Sequence, residues 1–217
     1  MSRALPPSAS IATPQEGAKL HAPSAERNAV HIAAFLRENA PASGQALEIA
    51  SGTGQHIISF AAALPALTWQ PTDIAPDRLR SIDSYVHDNG LSNVKPAQML
   101  DATTAGWSTV HGGQDLIVLI NLLHLISVAE TRIILNEAAQ ALSPDGALMI
   151  YGPFTRDGTL VSAADQRFDA ELRAADPAIG YKDTRDMQRW FLDAGLTALS
   201  QEMPANNLGF IARKTSS

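Results

Sequence analysis

The sequence predicts an α/β fold in which helices cover both faces of a mostly parallel sheet of seven strands, with an antiparallel C-terminal hairpin strand. Two observations support this prediction: strand-like and helix-like segments alternate along most of the chain, and the last two strand-like segments form a hairpin. Alternating strands and helices favour parallel pairing through right-handed crossovers. The 217 residues suffice for one large domain of this kind.

Short apolar runs bounded by turn residues mark the predicted strands, which are 46–50, 67–71, 94–100, 115–120, 147–151, 196–203 and 208–214. Apolar residues at helical spacing mark the predicted helices, which are 24–39, 56–63, 76–89, 129–142 and 186–194. Turn residues at 143–146 separate the fourth helix from the fifth strand, and those at 204–207 join the final hairpin. The parallel strands of such a sheet end at a shared edge, where ligands bind.

Two segments fall outside this regular pattern. Residues 1–23 are rich in proline, serine and alanine, which predicts a flexible arm or a strap over the domain formed by 24–217. Residues 152–183 predict a longer irregular connection. Because long connections in compact domains are usually functional or disordered, we expect this segment to be a lid that contributes to a substrate site.

Composition disfavours several classes of function. The net charge of −6 and the lack of a basic cluster disfavour a nucleic-acid partner, because phosphate contacts need grouped lysine and arginine. No apolar run approaches the roughly 18 residues of a membrane span, and the N-terminus lacks a secretory apolar segment. We therefore expect a cytoplasmic protein without a membrane partner. Cysteine is absent, which excludes thiolate chemistry, and the six scattered histidines predict no metal site.

The loop after the first strand, Ala50-Ser51-Gly52-Thr53-Gly54, is the strongest motif. A phosphate-binding P-loop would continue with Gly-Lys-Ser/Thr, but here Gln55 follows the second glycine. A dinucleotide fingerprint would place glycine or alanine where this chain has Ile57. Glu48 inside the strand instead favours a cationic ligand that carries an ammonium and a sulfonium. Two glycines alone also fit a simple tight turn.

These residues resemble class I S-adenosylmethionine-dependent methyltransferases. The stretch Glu48-Ile49-Ala50-Ser51-Gly52-Thr53-Gly54 is similar to the first motif of that family. Asp73, 21 residues after Gly52, resembles the acid that holds the ribose hydroxyls, and Asp101 resembles the side chain that reads the adenine amino group. The final hairpin resembles the reversed edge strand. The resemblance implies a Rossmann-like class I methyltransferase fold and S-adenosyl-L-methionine (SAM) as cofactor.

A closer resemblance, to the methyltransferase-like 26 group, spans residues 25–212. The blocks that carry it are 25–28, 47–56, 69–73, 121–124, 151–154 and 203–208. This resemblance implies no particular substrate. Ile179 stands where a tryptophan is expected, and Ala175 stands where a basic residue is expected. If the segment around them lines the acceptor pocket, we expect the acceptor to differ from that of the wider group.

The predicted cofactor site combines the motif residues with their neighbours at the strand ends. Its members are Arg27, Asn28, Glu48, Ala50, Ser51, Gly52, Gly54, His56, Asp73, Ile74, Asp101, Ala102, Asn121 and Leu122. Arg27 and Asn28 are placed there because they are expected to reach the cofactor carboxylate or the acceptor. Asn121 is expected to bond the amino-acid end of the cofactor, or simply to cap a turn.

The predicted acceptor site lies beside it. His124, just past the fourth strand, is predicted to be the general base, with a histidine packed under the cofactor or capping a helix as the alternative. Tyr151, Phe154 and Phe168 are predicted to wall the acceptor pocket, although such aromatic residues more often belong to the core.

The sequence therefore predicts an enzyme that moves a methyl group from SAM to an oxygen or nitrogen nucleophile of a small-molecule acceptor by in-line displacement. The alternative is a regulatory or scaffold protein that binds SAM, or its product S-adenosylhomocysteine (SAH), without catalysis. A nicotinamide oxidoreductase is disfavoured by Ile57. We expect a monomer or a homodimer.

Overall fold

The structure is a computed structural model that describes residues 5–215. Its strands are β1 (Thr13–Pro14), β2 (Leu20–His21), β3 (Gly44–Ile49), β4 (Leu67–Asp73), β5 (Gln98–Met99), β6 (Gln114–Ile120), β7 (Leu142–Thr155), β8 (Lys182–Asp183), β9 (Leu196–Met203) and β10 (Asn207–Lys214). Its α-helices are α1 (Pro23–Asn39), α2 (Gln55–Ala63), α3 (Pro76–Asp88), α4 (Val128–Ala141), α5 (Ala163–Ala175) and α6 (Thr184–Asp193).

The central sheet has the strand order β5-β4-β3-β6-β7-β10-β9, with β8 added beside β7. Every neighbouring pair up to β7 is parallel, as is β7 with β8, whereas β10 runs antiparallel to both β7 and β9. The predicted α/β fold with a mostly parallel sheet and a reversed C-terminal strand is therefore confirmed. The sheet has eight strands rather than seven because of the short β8.

The core has one apolar layer on each face of the sheet. Along β6, Ile117 and Leu119 face the layer formed with α4 and α6, whereas Leu116 and Val118 face the layer formed with α1, α2 and α3. All four side chains are fully buried, as is typical of a central parallel strand covered on both faces. This two-sided packing fixes the carboxyl ends of β3, β4 and β6 along one edge. In the described chain, no helix has the length and apolar character needed to cross a membrane.

Two strands differ from the prediction. The strand predicted at 94–100 is reduced to β5, preceded by a single bridge from Trp69 to Val94. Pro96 lies between the bridge and the strand, and a proline has no amide proton for the ladder. In contrast, β7 begins at Leu142 and includes the residues predicted as a turn, because the register with β6 shifts there and absorbs them as an irregularity.

The segment 152–183 is not the irregular connection that the sequence predicted. Its first residues continue β7, and most of the remainder is α5 followed by β8. The hydroxyl of Ser162 caps α5 by accepting a 3.1 Å hydrogen bond from the amide of Asp165. Leu172 anchors the helix in a small apolar cluster with Ile179 and Tyr181.

Candidate functional site

The loop that follows β3 is built around left-handed backbone. Ala50, Gly52 and Gly54 have φ angles of 54°, 62° and 91°. A β-carbon on Gly54 would lie 2.7 Å from the α-carbon of Ile82 in α3, so only glycine fits this close approach. The loop thus leads directly into the amino end of α2, where free amide groups favour a ligand with negative or polar groups.

Asp73, at the end of β4, holds this loop in place. Its Oδ2 accepts a 2.9 Å hydrogen bond from the amide of Gly52, and its Oδ1 accepts one of 3.0 Å from the amide of Ala75. Burial raises the pKa of Asp73, while these amides and the nearby guanidinium of Arg78 act in the opposite direction. The residue predicted to bind ribose therefore also organises the loop before any ligand is bound.

Glu48 is the least satisfied polar group near the loop. The residue is 1% exposed, and its Oε2 has no hydrogen-bond partner among residues 5–215. Burial raises the pKa of Glu48 to about 7. Ser51 acts against this rise, but a buried carboxylate oxygen without a partner is costly, so Oε2 fits a ligand that brings a positive charge or a hydrogen-bond donor. The motif thus meets the chemical requirement of a cofactor with ammonium and sulfonium groups.

The predicted adenine region lies next to β4 and β5. Oδ1 of Asp101 accepts hydrogen bonds from the amide and the hydroxyl of Thr103, at 3.0 and 2.5 Å, which fixes the carboxylate at the start of its loop. Ile74 and Met99 are 59% and 61% exposed, which leaves an apolar surface on either side. The side chain of Ala102, by contrast, is buried in the core, so only the backbone of this residue is available to a ligand.

A hydrogen-bonded chain joins α1, α2 and β7 above the strand ends. Nε2 of His56 lies 2.7 Å from Oδ1 of Asn28, and the side chain of Asn28 acts on the Tyr151 hydroxyl, where it opposes the rise in pKa that burial causes. Burial lowers the pKa of His56 to about 4, so the ring is neutral at physiological pH. These three predicted residues come together as one network, in which His56 orients Asn28 and Asn28 orients the tyrosine hydroxyl.

A cavity of about 520 Å³ opens beside this network. Its walls come from the N-terminal segment, α1, the ends of β6 and β7, α5 and the turn before β10. The lining residues are Ser8, Ala9, Ser24, Arg27, Asn28, His31, Asn121, His124, Tyr151, Pro153, Asp165, Phe168, Tyr181, Pro204, Ala205 and Asn207. The structure therefore brings together six predicted residues from both predicted sites: Arg27, Asn28, Asn121, His124, Tyr151 and Phe168. Asn121 enters it from left-handed backbone with a φ of 52°.

His124 lies in a single 3-10 turn after β6 and is 5% exposed. Its ring packs edge-on against Phe168 and Tyr181, with centroid distances of 5.6 and 6.1 Å. Burial lowers the pKa of His124 to about 3, and Nδ1 has no partner within the described chain. This environment disfavours the predicted role as a general base, because a ring that resists protonation is a weak proton acceptor.

The sequence did not single out Asp165 and Tyr181, which form a second polar group in the cavity. The Tyr181 hydroxyl donates a 3.1 Å hydrogen bond to Oδ1 of Asp165. Oδ2 of the same carboxylate accepts from Ser162 at 2.6 Å and from the Asn206 amide at 3.2 Å. The Ser162-to-Asp165 capping spacing was the available signal, but the contact with Tyr181 depends on how α5 folds back.

Phe154 was predicted to wall the acceptor pocket, and the structure corrects this. The ring is 2% exposed and packs against Phe210 at a centroid distance of 5.0 Å, inside the core. Successive residues of a strand point to opposite faces. Tyr151 belongs to the core layer on one face of β7 and Phe154, three residues later, to the layer on the other, so the two cannot share a wall.

The N-terminal segment lies across this edge of the domain. Ser8 donates a 2.7 Å hydrogen bond to Glu171 of α5, and Arg78 of α3 donates one of 2.9 Å to Ser10. Further along, β1 and β2 pair as a small antiparallel ladder, and the amide of Ala22 bonds Gln55 at the start of α2. The first four residues of the predicted arm lie outside the described residues. Those from 5 onward cover part of the cavity.

Comparison with known families identifies the chain. The family described as "Protein of unknown function (DUF938)" matches residues 19–214. The chain belongs to the DUF938 family. The match begins near β2 and ends at the last residue of β10, so the whole sheet and the cavity walls contributed by α1, α5 and the β9–β10 turn are DUF938 structure.

Solved structures share the fold of this DUF938 protein. An O-methyltransferase family protein from Burkholderia thailandensis has a TM-score of 0.75 at 18% identity, over 89% of this chain and 59% of that one. Mitomycin 7-O-methyltransferase has a TM-score of 0.72 at 17% identity, over 88% and 54%. A methyltransferase of calicheamicin biosynthesis, in an SAH-bound form, has a TM-score of 0.70 at 16% identity, over 88% and 54%. The DUF938 chain thus has the Rossmann-like methyltransferase fold but spans little more than half the length of these proteins.

Proposed function

We propose that this protein is a SAM-dependent methyltransferase whose acceptor is a small molecule bound in the 520 Å³ cavity. The observation that carries the proposal is Glu48, whose Oε2 is buried without a partner in the described chain, next to a glycine loop whose conformation Asp73 holds. When bound, SAM supplies an electrophilic methyl group on a sulfonium. The fold shared with methyltransferases supports this assignment, as does the SAH held by one of them.

Different residues of the chain would bind the different parts of SAM, and the cavity beside them would bind the acceptor. Glu48, the amides of the Gly52–Gly54 loop and Asn121 hold the amino-acid end of the cofactor. Asp73 holds the ribose, and Asp101 with Ile74 receives the adenine. The cavity lies in the size range of small-molecule sites, and four of its lining residues are aromatic rings: His124, Tyr151, Phe168 and Tyr181. Alignment and desolvation of the acceptor are what the protein must supply for in-line transfer.

The experiment is transfer of a labelled methyl group from SAM to a deproteinised small-molecule extract by the purified full chain. The expected result is label in one or a few small molecules, absent when Glu48→Gln replaces the native protein. Binding of SAM without any labelled product would instead support a non-catalytic binding protein. Four statements stay predictions: membership of the methyltransferase-like 26 group, cytoplasmic location, absence of a nucleic-acid partner, and a monomeric or homodimeric state.

A further inference from the structure

The two kinds of charged group in the cavity differ in how many hydrogen bonds they make. Arg27 and His31 lie one turn apart on α1 and both line the cavity. Arg27 makes no hydrogen bond or ion pair with any residue of the described chain. The acid of the cavity, Asp165, already accepts hydrogen bonds from Tyr181, Ser162 and Asn206. A guanidinium without a partner in the described chain, in a cavity whose acid already accepts three hydrogen bonds, fits an anionic ligand.

The amino end of α1 adds to this preference. The helix runs for 17 residues from Pro23. The amide of Ala22 bonds Gln55 and Pro23 has no amide proton, so the amides of Ser24 and Ala25 are the ones left without a partner among the described residues. Ser24, in its first turn, lines the same cavity as Arg27. Free amide groups and the helix dipole favour an anion at such an end. The guanidinium of Arg27 and the amino end of α1 therefore both favour a ligand with negative charge.

Three titratable groups that line the cavity, His124, Tyr151 and Tyr181, are poor proton acceptors near neutral pH. The titratable groups of the cavity are Arg27, His31, Tyr151, Asp165, Tyr181 and His124. His124 is buried and resists protonation, and burial raises the pKa of both tyrosines. Asp165 is held by three donors, and His31 lies on the exposed side of α1. A carboxylate nucleophile is already ionised at neutral pH and needs no base from His124, Tyr151 or Tyr181.

We propose that the acceptor is a small carboxylic acid, bound as its carboxylate between Arg27 and the amino end of α1, and that the product is a methyl ester. This inference rests on the proposed function. One carboxylate oxygen accepts from Arg27, and the other attacks the methyl carbon of SAM. The new C–O bond forms as the C–S bond breaks, and the electron pair stays on sulfur. Anion and sulfonium become neutral ester and thioether, so no proton is released. Phe168, Tyr181 and Pro153 also line the cavity and suit an apolar, flat remainder of the molecule.

Two properties of the product test this directly. The labelled products of the extract experiment are treated with mild alkali, which releases the methyl group of an ester as methanol and leaves methyl ethers and methylamines intact. Proton release is followed in the same reactions with a weakly buffered indicator. We expect alkali-labile label and no proton release. Alkali-stable label with one proton per transfer would overturn the carboxylate inference while the proposed function stands. No transfer at all would overturn the proposed function itself.

The Arg27→Gln variant tests the binding mode, with Arg37→Gln as its control. Arg37 is exposed on the same helix and does not line the cavity. Loss of a charge-assisted contact predicts a rise in KM for the labelled acceptor of roughly tenfold or more for Arg27→Gln. The Kd for SAM should stay within about twofold of the native value in both variants. Equal loss of SAM affinity and acceptor affinity in Arg27→Gln would place this guanidinium on the cofactor and overturn the proposal.

Discussion

The amide of Gly52 and the carboxylate of Asp73 form a 2.9 Å hydrogen bond between the loop after β3 and the end of β4. The second oxygen of the same carboxylate bonds the amide of Ala75. This one side chain therefore shapes the glycine loop and the entrance to α3 at once. Because backbone amides already hold the Asp73 carboxylate, which is proposed to bind the ribose, binding requires less reorganisation of the protein.

Asp73→Ala is expected to lose the ribose contacts and the loop contact together. We expect SAM affinity to fall by about 1.5–3 kcal/mol, the usual range for hydrogen bonds to a charged group. Calorimetric titration measures the affinity, and thermal unfolding without ligand measures the loop contact separately. Asp145→Asn, at an exposed position of β7, is the control. Unchanged affinity in Asp73→Ala would remove Asp73 from the cofactor site.

Gly54→Ala tests the close approach of the loop to α3. The new methyl group would meet the backbone of Ile82 and would also demand a φ of 91° from alanine. We expect a loss of roughly 2–4 kcal/mol of unfolding free energy together with loss of SAM binding. Gly90→Ala has a φ of 62° but no atom within 4 Å of the new β-carbon, so it isolates the backbone strain and should cost roughly 1–2 kcal/mol. Equal losses of unfolding free energy in Gly54→Ala and Gly90→Ala would contradict a steric clash between residue 54 and Ile82.

Glu48 should give the stability of the protein a distinctive pH dependence. Its folded pKa of about 7 lies above the unfolded value of 4.5, so folding favours the protonated form. This contribution is fully present below pH 4.5 and is lost as pH rises through 7, by up to about 3 kcal/mol. As pH rises from 4.5 to 7, the native protein should therefore lose unfolding free energy relative to the Glu48→Gln variant. Glu38→Gln, exposed on α1, is the control.

The same group links cofactor binding to pH. Because SAM is expected to pair with the ionised carboxylate, its affinity should increase as pH rises from 6 to 8. In Glu48→Gln the affinity should be weaker and should lose this dependence. Titrations in buffers of different ionisation enthalpy would measure the proton released on binding. Affinity that is independent of pH in the native protein would mean that Glu48 does not face the cofactor.

His124 should act on stability with the opposite sign. Its folded pKa of about 3 lies below the ordinary value of 6.5, so its contribution is present above pH 6.5 and is lost as pH falls. Between pH 6.5 and 5 this amounts to about 2 kcal/mol. The His124→Phe variant keeps an aromatic ring that cannot be protonated. As pH falls from 6.5 to 5, its unfolding free energy should therefore rise by that amount relative to the native protein. The same substitution at exposed His87 controls for the added phenyl group. A constant difference would show that His124 titrates normally.

The positions of the residues proposed for the cofactor site were largely predictable because they depend on chain order. Glu48, Gly52 and Asp73 follow or end parallel strands, and parallel strands end at a shared edge. The short β5 was mispredicted, because Pro96 interrupts a run whose composition otherwise suits a strand. Helix α5 was missed because Phe168 and Leu172 are its only large apolar side chains, with Leu172 as its main anchor.

The acceptor side was less predictable because it depends on packing between distant segments. His124 is buried by Phe168 and Tyr181, which arrive only when α5 and the chain after it fold over the strand ends. Asp165 meets Tyr181 and Asn206 for the same reason. Periodicity reports which face of an element is apolar, but it does not report which elements meet above a sheet edge.

Calorimetric titration of the purified, cofactor-free full chain with SAM and with SAH tests the central claim most directly. We expect both to bind saturably at one site per chain, and we expect Glu48→Gln and Asp73→Ala to weaken SAM binding while Glu38→Gln and Asp145→Asn do not. Failure of both ligands to bind a folded native protein would contradict the proposed cofactor site, and with it the methyltransferase function.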